Sequence, residues 1–174
     1  MIEIKITDHG VVAALDKLAK GMANPSPVLR VLGEEMTKRI KRRFDTSTGP
    51  DGVRWKKNAE STLLAYIGAR GGIGKRGKVT KKGAAIGAGK KPLIGHSHDL
   101  ERQNHYDVSG STLRIGNSMI YGAIQQFGGQ AGRGRKATIP ARPFLPVTAA
   151  GSLYPEDQEL VISTVSDYLR SLVK

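Results

Sequence analysis

The sequence predicts an α+β fold, and three features of it point there. Apolar residues recur at helical spacing in two N-terminal stretches and again at the C-terminal end. Residues 104–115 instead alternate with period two around a Ser-Gly turn. Between these regions lies a glycine-rich, acid-free, basic stretch from 68 to 91. At 174 residues the chain is long enough for one domain with a real core. The expectation is a single domain, 1–174. An antiparallel sheet packs against N-terminal helices and a C-terminal helix, and 68–91 forms an inserted mobile arm.

Ile2, Ile4 and Ile6 alternate with Glu3 and Lys5, the pattern of a short half-buried strand. Asp8 is placed to cap a helix carrying Val11, Val12, Leu15 and Leu18, ended by Gly21. Asn24-Pro25-Ser26-Pro27 reads as a turn, with Ser26 and Pro27 as cap and first-turn residue of a second helix. That helix places Leu29, Leu32, Met36, Ile40 and Phe44 on one stripe. Its last turns hold Lys38, Arg39, Lys41, Arg42 and Arg43, cations that complement the helix dipole or meet a polyanion. Residues 46–52 are turn-rich and lead to Trp55, read as a core plug; 62–66 reads as a short helical turn.

The arm from Gly68 to Lys91 has only isolated apolar residues, too few to offset its ordering entropy alone. Asn104–Val108 and Ser111–Ile115 predict a hairpin, with Tyr106 and Val108 on one face and Leu113 and Ile115 sharing theirs. Met119 to Phe127 suits a short helix or strand, stopped by Gly128-Gly129, and 130–136 is a second basic loop. Pro155, Glu156 and Asp157 open a final helix with Leu160, Val161, Val165, Tyr168, Leu169 and Leu172 on its apolar side.

Composition limits the chemistry. Lys and Arg number 28 against 15 Asp and Glu, a net charge of +13, which favours polyanions or an acidic neighbour. With no cysteine, disulfides, thiol catalysis and Cys-ligated zinc are excluded. The N-terminus lacks the apolar core of a signal peptide, and no apolar run reaches the ~20 residues of a membrane span.

Catalytic patterns are weak. Gly72 to Val79 nearly matches a phosphate-binding loop, but Val79 replaces the hydroxyl that would hold Mg²⁺. His96 and His98 would share a face in a strand, but with no second ligand cluster they read as a polar loop and no metal or cofactor is expected. No nucleophile elbow or paired-carboxylate arrangement occurs, so the chain is not read as an enzyme. The cations Arg70, Lys75, Arg76, Lys78, Lys81, Lys82, Lys90 and Lys91 could track a phosphate backbone without base readout, or meet acidic protein.

The segment Ile139-Pro140-Ala141-Arg142-Pro143-Phe144-Leu145 is the most distinctive. Two prolines stiffen it and hold Arg142 extended. It suits either bracing a core or docking on a partner, and docking is preferred. Pro140, Arg142, Pro143, Phe144 and Leu145 are then the candidate contacts, with Phe144 as anchor and Arg142 facing the partner.

With these residues in view, the chain resembles the phage virion morphogenesis family, which includes tail completion proteins and the corresponding proteins of Mu-like phages. The shared features run in order from about residue 28 to 170. They are the helix ending Arg43-Phe44, the Gly49-Pro50-Asp51-Gly52 turn with Trp55, and a basic loop. Pro92-Leu93-Ile94-Gly95 before Leu100 and then Ile115-Gly116 follow. The segment from Tyr121 to Gly129 and the Ile139–Leu145 stretch complete the set. The chain departs from the family pattern at His96 to Asp99, at Gln125 and at Pro146. The resemblance implies an α+β structural subunit without catalysis, placed in the virion tail or neck. It implies assembly as a homo-oligomeric ring, with a hexamer as the first expectation, beside tail-tube and head-connector proteins. The rival reading is a non-specific DNA-binding protein.

Overall fold

The computed structural model describes residues 9–173. The expected strand over Ile2–Ile6 and the Asp8 cap lie outside the described residues. The elements run α1 (His9–Ala23), α2 (Ser26–Thr46), α3 (Glu60–Gly68), α4 (Lys81–Ala88) and α5 (Asp99–Arg102). After them come β1 (Asn104–Ser109), β2 (Thr112–Asn117), α6 (Gly122–Phe127), β3 (Gly129–Ala131), β4 (Ala137–Ile139) and α7 (Pro155–Leu172). The fold is α+β as expected, with two separate two-stranded antiparallel sheets.

α2 is the axis. Its stripe buries Val28, Leu32, Met36, Ile40 and Phe44. The β1–β2 hairpin lies across its first half, in the register Tyr106↔Ile115 and Val108↔Leu113. This close crossing depends on Gly33, where any Cβ would overlap the Tyr106 ring. Ser26 does not cap α2 with its side chain; its hydroxyl donates to the Gly110 carbonyl at the hairpin turn (3.4 Å). The capping group thus ties helix start to hairpin tip.

The core gathers Ile40, Phe44, Trp55, Leu100 and Phe144, flanked by Leu93, Ile94, Ile115, Met119 and Leu145. Phe44 meets Trp55 edge-on and Phe144 tilted, both at 5.4 Å between ring centres. Such pairs contribute about 0.5–1.5 kcal/mol beyond their buried area. Trp55 is therefore the core plug its position suggested.

The segment 68–91 requires a correction: it is not built as an arm. α3 and α4 pack as a helical hairpin, joined by a turn closed by the Ile73–Val79 bridge. Thr80 caps α4 by accepting from the Gly83 amide (3.0 Å), and its hydroxyl donates to the Gly72 carbonyl (3.0 Å). Gly72 and Gly83 pass so closely that a Cβ on Gly72 would lie 2.6 Å from the Gly83 Cα. Ile67 is buried over this crossing. The glycines serve contact rather than flexibility, which composition alone cannot distinguish.

Residues 119–127 resolve into a helical turn and α6, and Gly128 ends that helix at φ +74°. The basic loop 130–136 is the tip of the β3–β4 hairpin, with Arg133, Arg135 and Lys136 exposed. α7 crosses α2 and meets α1 near their carboxyl ends, where the Tyr168 hydroxyl donates to the Gly21 carbonyl (3.4 Å).

Candidate functional site

The proline segment is positioned from four sides. The Arg142 amide donates to the Gln125 carbonyl at 2.8 Å. Its guanidinium donates from Nε to the Lys56 carbonyl (2.8 Å) and from Nη2 to the Lys57 carbonyl (2.9 Å). The Trp55 indole donates to the Pro143 carbonyl at 2.9 Å. Gln126 Oε1 accepts from both the Phe144 and Leu145 amides at 2.8 Å, while its Nε2 donates to the Val147 carbonyl at 2.9 Å. The prolines remove two amides from the segment, and Trp55 and Gln126 bond the Pro143 carbonyl and the Phe144 and Leu145 amides.

Beneath it sits a buried ion pair. Arg43 donates to both carboxylate oxygens of Asp157 at 2.6 Å and to the Phe144 carbonyl at 2.9 Å. Arg39 adds a longer contact to Asp157 at 3.4 Å. One arginine therefore links α2, the proline segment and the first turn of α7. A buried pair of this kind stabilises little against an apolar replacement, but its disruption leaves an uncompensated charge.

These contacts revise the docking expectation. Phe144 is 0% exposed and Arg142 is 7% exposed. Burial pushes the Arg142 guanidinium pKa down, although arginine remains charged at any ordinary pH. Pro140, Pro143 and Leu145 are half-buried. In the single chain Arg142 is turned inward, with two of its five N–H donors on the Lys56 and Lys57 carbonyls. Within that chain the segment is a brace.

Sequence reading missed Gln126, Arg43 and Asp157 as partners of this brace. For Arg43 a signal existed: it lies seven residues after Met36, on the stripe that also carries Ile40 and Phe44. A cation on an apolar stripe calls for a buried carboxylate, and Asp157 supplies it.

The basic residues divide into two groups. Lys75, Arg76, Lys78, Lys81 and Lys82 are exposed on the α3–α4 turn and the start of α4. Arg70, Lys90 and Lys91 converge with Tyr66 and α2 on a cleft of about 820 Å³. His98, at its rim, approaches Glu101 at 3.0 Å, while His96 is exposed. No group of three or more metal-ligating side chains occurs among the described residues. The Gly72–Val79 stretch forms the bridged α3–α4 turn, with no strand leading into it.

Exposed apolar side chains are spread along the chain, Val53 and Ile162 among them, and α1 and the turn before α6 hold the most exposed ones among the described residues. α1 presents Val11, Val12, Leu15 (59% exposed) and Met22 (68%). Beside α6, Ile120 is 98% exposed, with Tyr121 and Phe127 also exposed nearby in sequence. No described helix is long and apolar enough to cross a membrane.

The family model for phage virion morphogenesis matches residues 6–170. The chain belongs to the phage virion morphogenesis family. Across its whole length, and the whole length of the relative, it is 29% identical to Mu-like prophage FluMu G protein 2 of Haemophilus influenzae. No solved structure matches it. Membership gives the chain a structural, virion-associated role in building phage particles. The match includes the brace, the Trp55 turn and α6, so the buried scaffold described above falls within the family's span.

Proposed function

We propose that this virion protein works at the head–tail junction as a ring-forming subunit that completes the tail and presents a surface for head joining. It performs this role by protein–protein contact, without a catalytic step. The observation that carries the reading is the uncovered apolar surface. Ile120 at 98% exposure and Met22 at 68% are the most exposed large apolar side chains among the described residues, and Leu15 of α1 is 59% exposed. Burying such side chains against a neighbour favours assembly by about 1.5–3 kcal/mol each. The two small sheets also leave strand edges open to a neighbour. The test is solution mass by light scattering, alone and with phage tails or heads. Assembly that Leu15→Glu or Ile120→Glu abolishes supports the reading; a chain that stays monomeric under every condition refutes it.

A second reading, non-specific contact with packaged DNA, draws on Lys81 and Lys82. They stand in the first turn of α4, with no acid in that turn, where the helix dipole disfavours cations. A salt titration of DNA affinity tests it: a steep fall with salt, flattened by Lys81→Ala and Lys82→Ala, supports it. A salt-independent affinity, or no binding, removes it.

A further inference from the structure

We propose that the cleft lined by Tyr66 is a docking site for an acidic segment of a different protein chain, anchored by Arg70 and Lys90. This rests on the assembly reading above and specifies the chemistry of one neighbour. The cleft lies between the carboxyl half of α2, α3 and the chain from Gly89 to Asn104. Lys41, Arg70, Lys90, Lys91 and Arg102 line it, and among the described residues none of them makes an ion pair. Lys38 also lines it but is held by Glu35 at 2.7 Å. The acids present are Asp45 and Glu101, and Glu101 is engaged by His98.

The arrangement at Tyr66 is the unusual part. The Arg70 guanidinium lies 3.7 Å from the ring centre and the Lys90 ammonium 4.9 Å from it. Two cations are thus held against one ring. The Lys90 ammonium also donates to the Ile94 carbonyl, which fixes its place. Burial first, and the Arg70 charge second, push the Lys90 pKa down. An anion placed between them would relieve the repulsion and replace lost solvation. The guanidinium fork matches a carboxylate in two-point geometry.

The recess selects among anions. Duplex DNA offers its phosphates on a broad convex surface, which meets projecting cations such as Lys75 and Lys78 more readily than recessed ones. Single strands add base stacking on aromatic faces, and the Tyr66 ring is already occupied by two cations. Carboxylates on flexible side chains reach into a cleft of this size. A second copy of the chain is a poor donor, having 15 acidic residues against 28 basic ones.

The probe is a fluorescently labelled hexaglutamate peptide, titrated by anisotropy into the full chain and compared with labelled duplex DNA. Arg70→Gln with Lys90→Gln should weaken peptide binding by about tenfold, equivalent to about 1.4 kcal/mol. Arg133→Gln with Arg135→Gln should leave it within about twofold, since mutations outside a binding site are near neutral. DNA affinity should move by less than about twofold in the first pair, because exposed cations elsewhere carry phosphate contact. Absence of peptide binding, an equal loss in both pairs, or a larger loss for DNA than for peptide overturns the proposal. Thermal melts check the fold of each variant, and Lys41→Glu, at an exposed α2 position, gives an independent arm that must also weaken the peptide. Peptide binding does not require ring formation, so its failure and that of the assembly reading are read separately.

Discussion

Two sets of cations in this chain look alike in sequence and differ in what they meet. Arg43 and Arg142 are buried, and their donors end on the Asp157 carboxylate and on the Phe144, Lys56 and Lys57 carbonyls. Arg70 and Lys90 share the Tyr66 ring and have no carboxylate partner among the described residues. The first set holds the fold together, since a desolvated charge is tolerated only when its bonds are complete. The second set is held in place but left electrostatically incomplete, which suits recognition. The same contrast runs through the apolar residues: Phe144 is sealed inside, and Ile120 is left outside.

The largest effect is expected from Asp157→Ala, which strands Arg43 and should cost about 3–5 kcal/mol in urea unfolding. A loss below about 1 kcal/mol would mean the pair is solvated. Arg142→Ala should come next, at about 2–3 kcal/mol, because it strips charged hydrogen bonds from two backbone carbonyls. It should lower the unfolding midpoint, and a stable variant that only fails to assemble would restore the docking role.

Gly83→Ala should cost about 1–3 kcal/mol by forcing α4 away from the Gly72 carbonyl. A neutral result would return 68–91 to the status of a loosely held arm. The smallest effect belongs to the incomplete set. Arg70→Gln with Lys90→Gln should cost no more than about 1 kcal/mol, because the two ring contacts it removes are offset by the repulsion between the cations, and thermal unfolding measures it. A large loss there would make that pair structural and erase the contrast.

Much of this architecture was legible in residue spacing. The α2 stripe, the presence of a hairpin after Asn104 and the Pro155 start of α7 follow from periodicity and turn chemistry, while the hairpin turn falls at Gly110-Ser111, one residue later than the expected Ser109-Gly110, which sets the register Val108↔Leu113. Three things were not. The Gly72–Gly83 crossing was hidden because glycine marks flexibility and close approach with the same letter. The Arg43–Asp157 pair spans 114 residues, and each partner alone has a sufficient local explanation in the helix dipole. Arg142 was legible as a fixed cation, but the carbonyls that receive it come from the irregular stretch after Trp55, which carries no periodic signal. The cleft at Tyr66 likewise joins α2, α3 and the 89–104 stretch, a long-range convergence that spacing cannot encode.

Groups with completed bonds hold the subunit together, and the groups left incomplete are the ones offered for assembly in the proposed role. Light-scattering mass of the purified chain, alone and with phage tails or heads, against its Ile120→Glu and Leu15→Glu variants tests it most directly. Assemblies of several 18.7 kDa chains, lost in the variants while their melting temperatures stay unchanged, are the predicted result. A chain that remains at one subunit mass in every mixture, or variants that assemble as the original does, would contradict it.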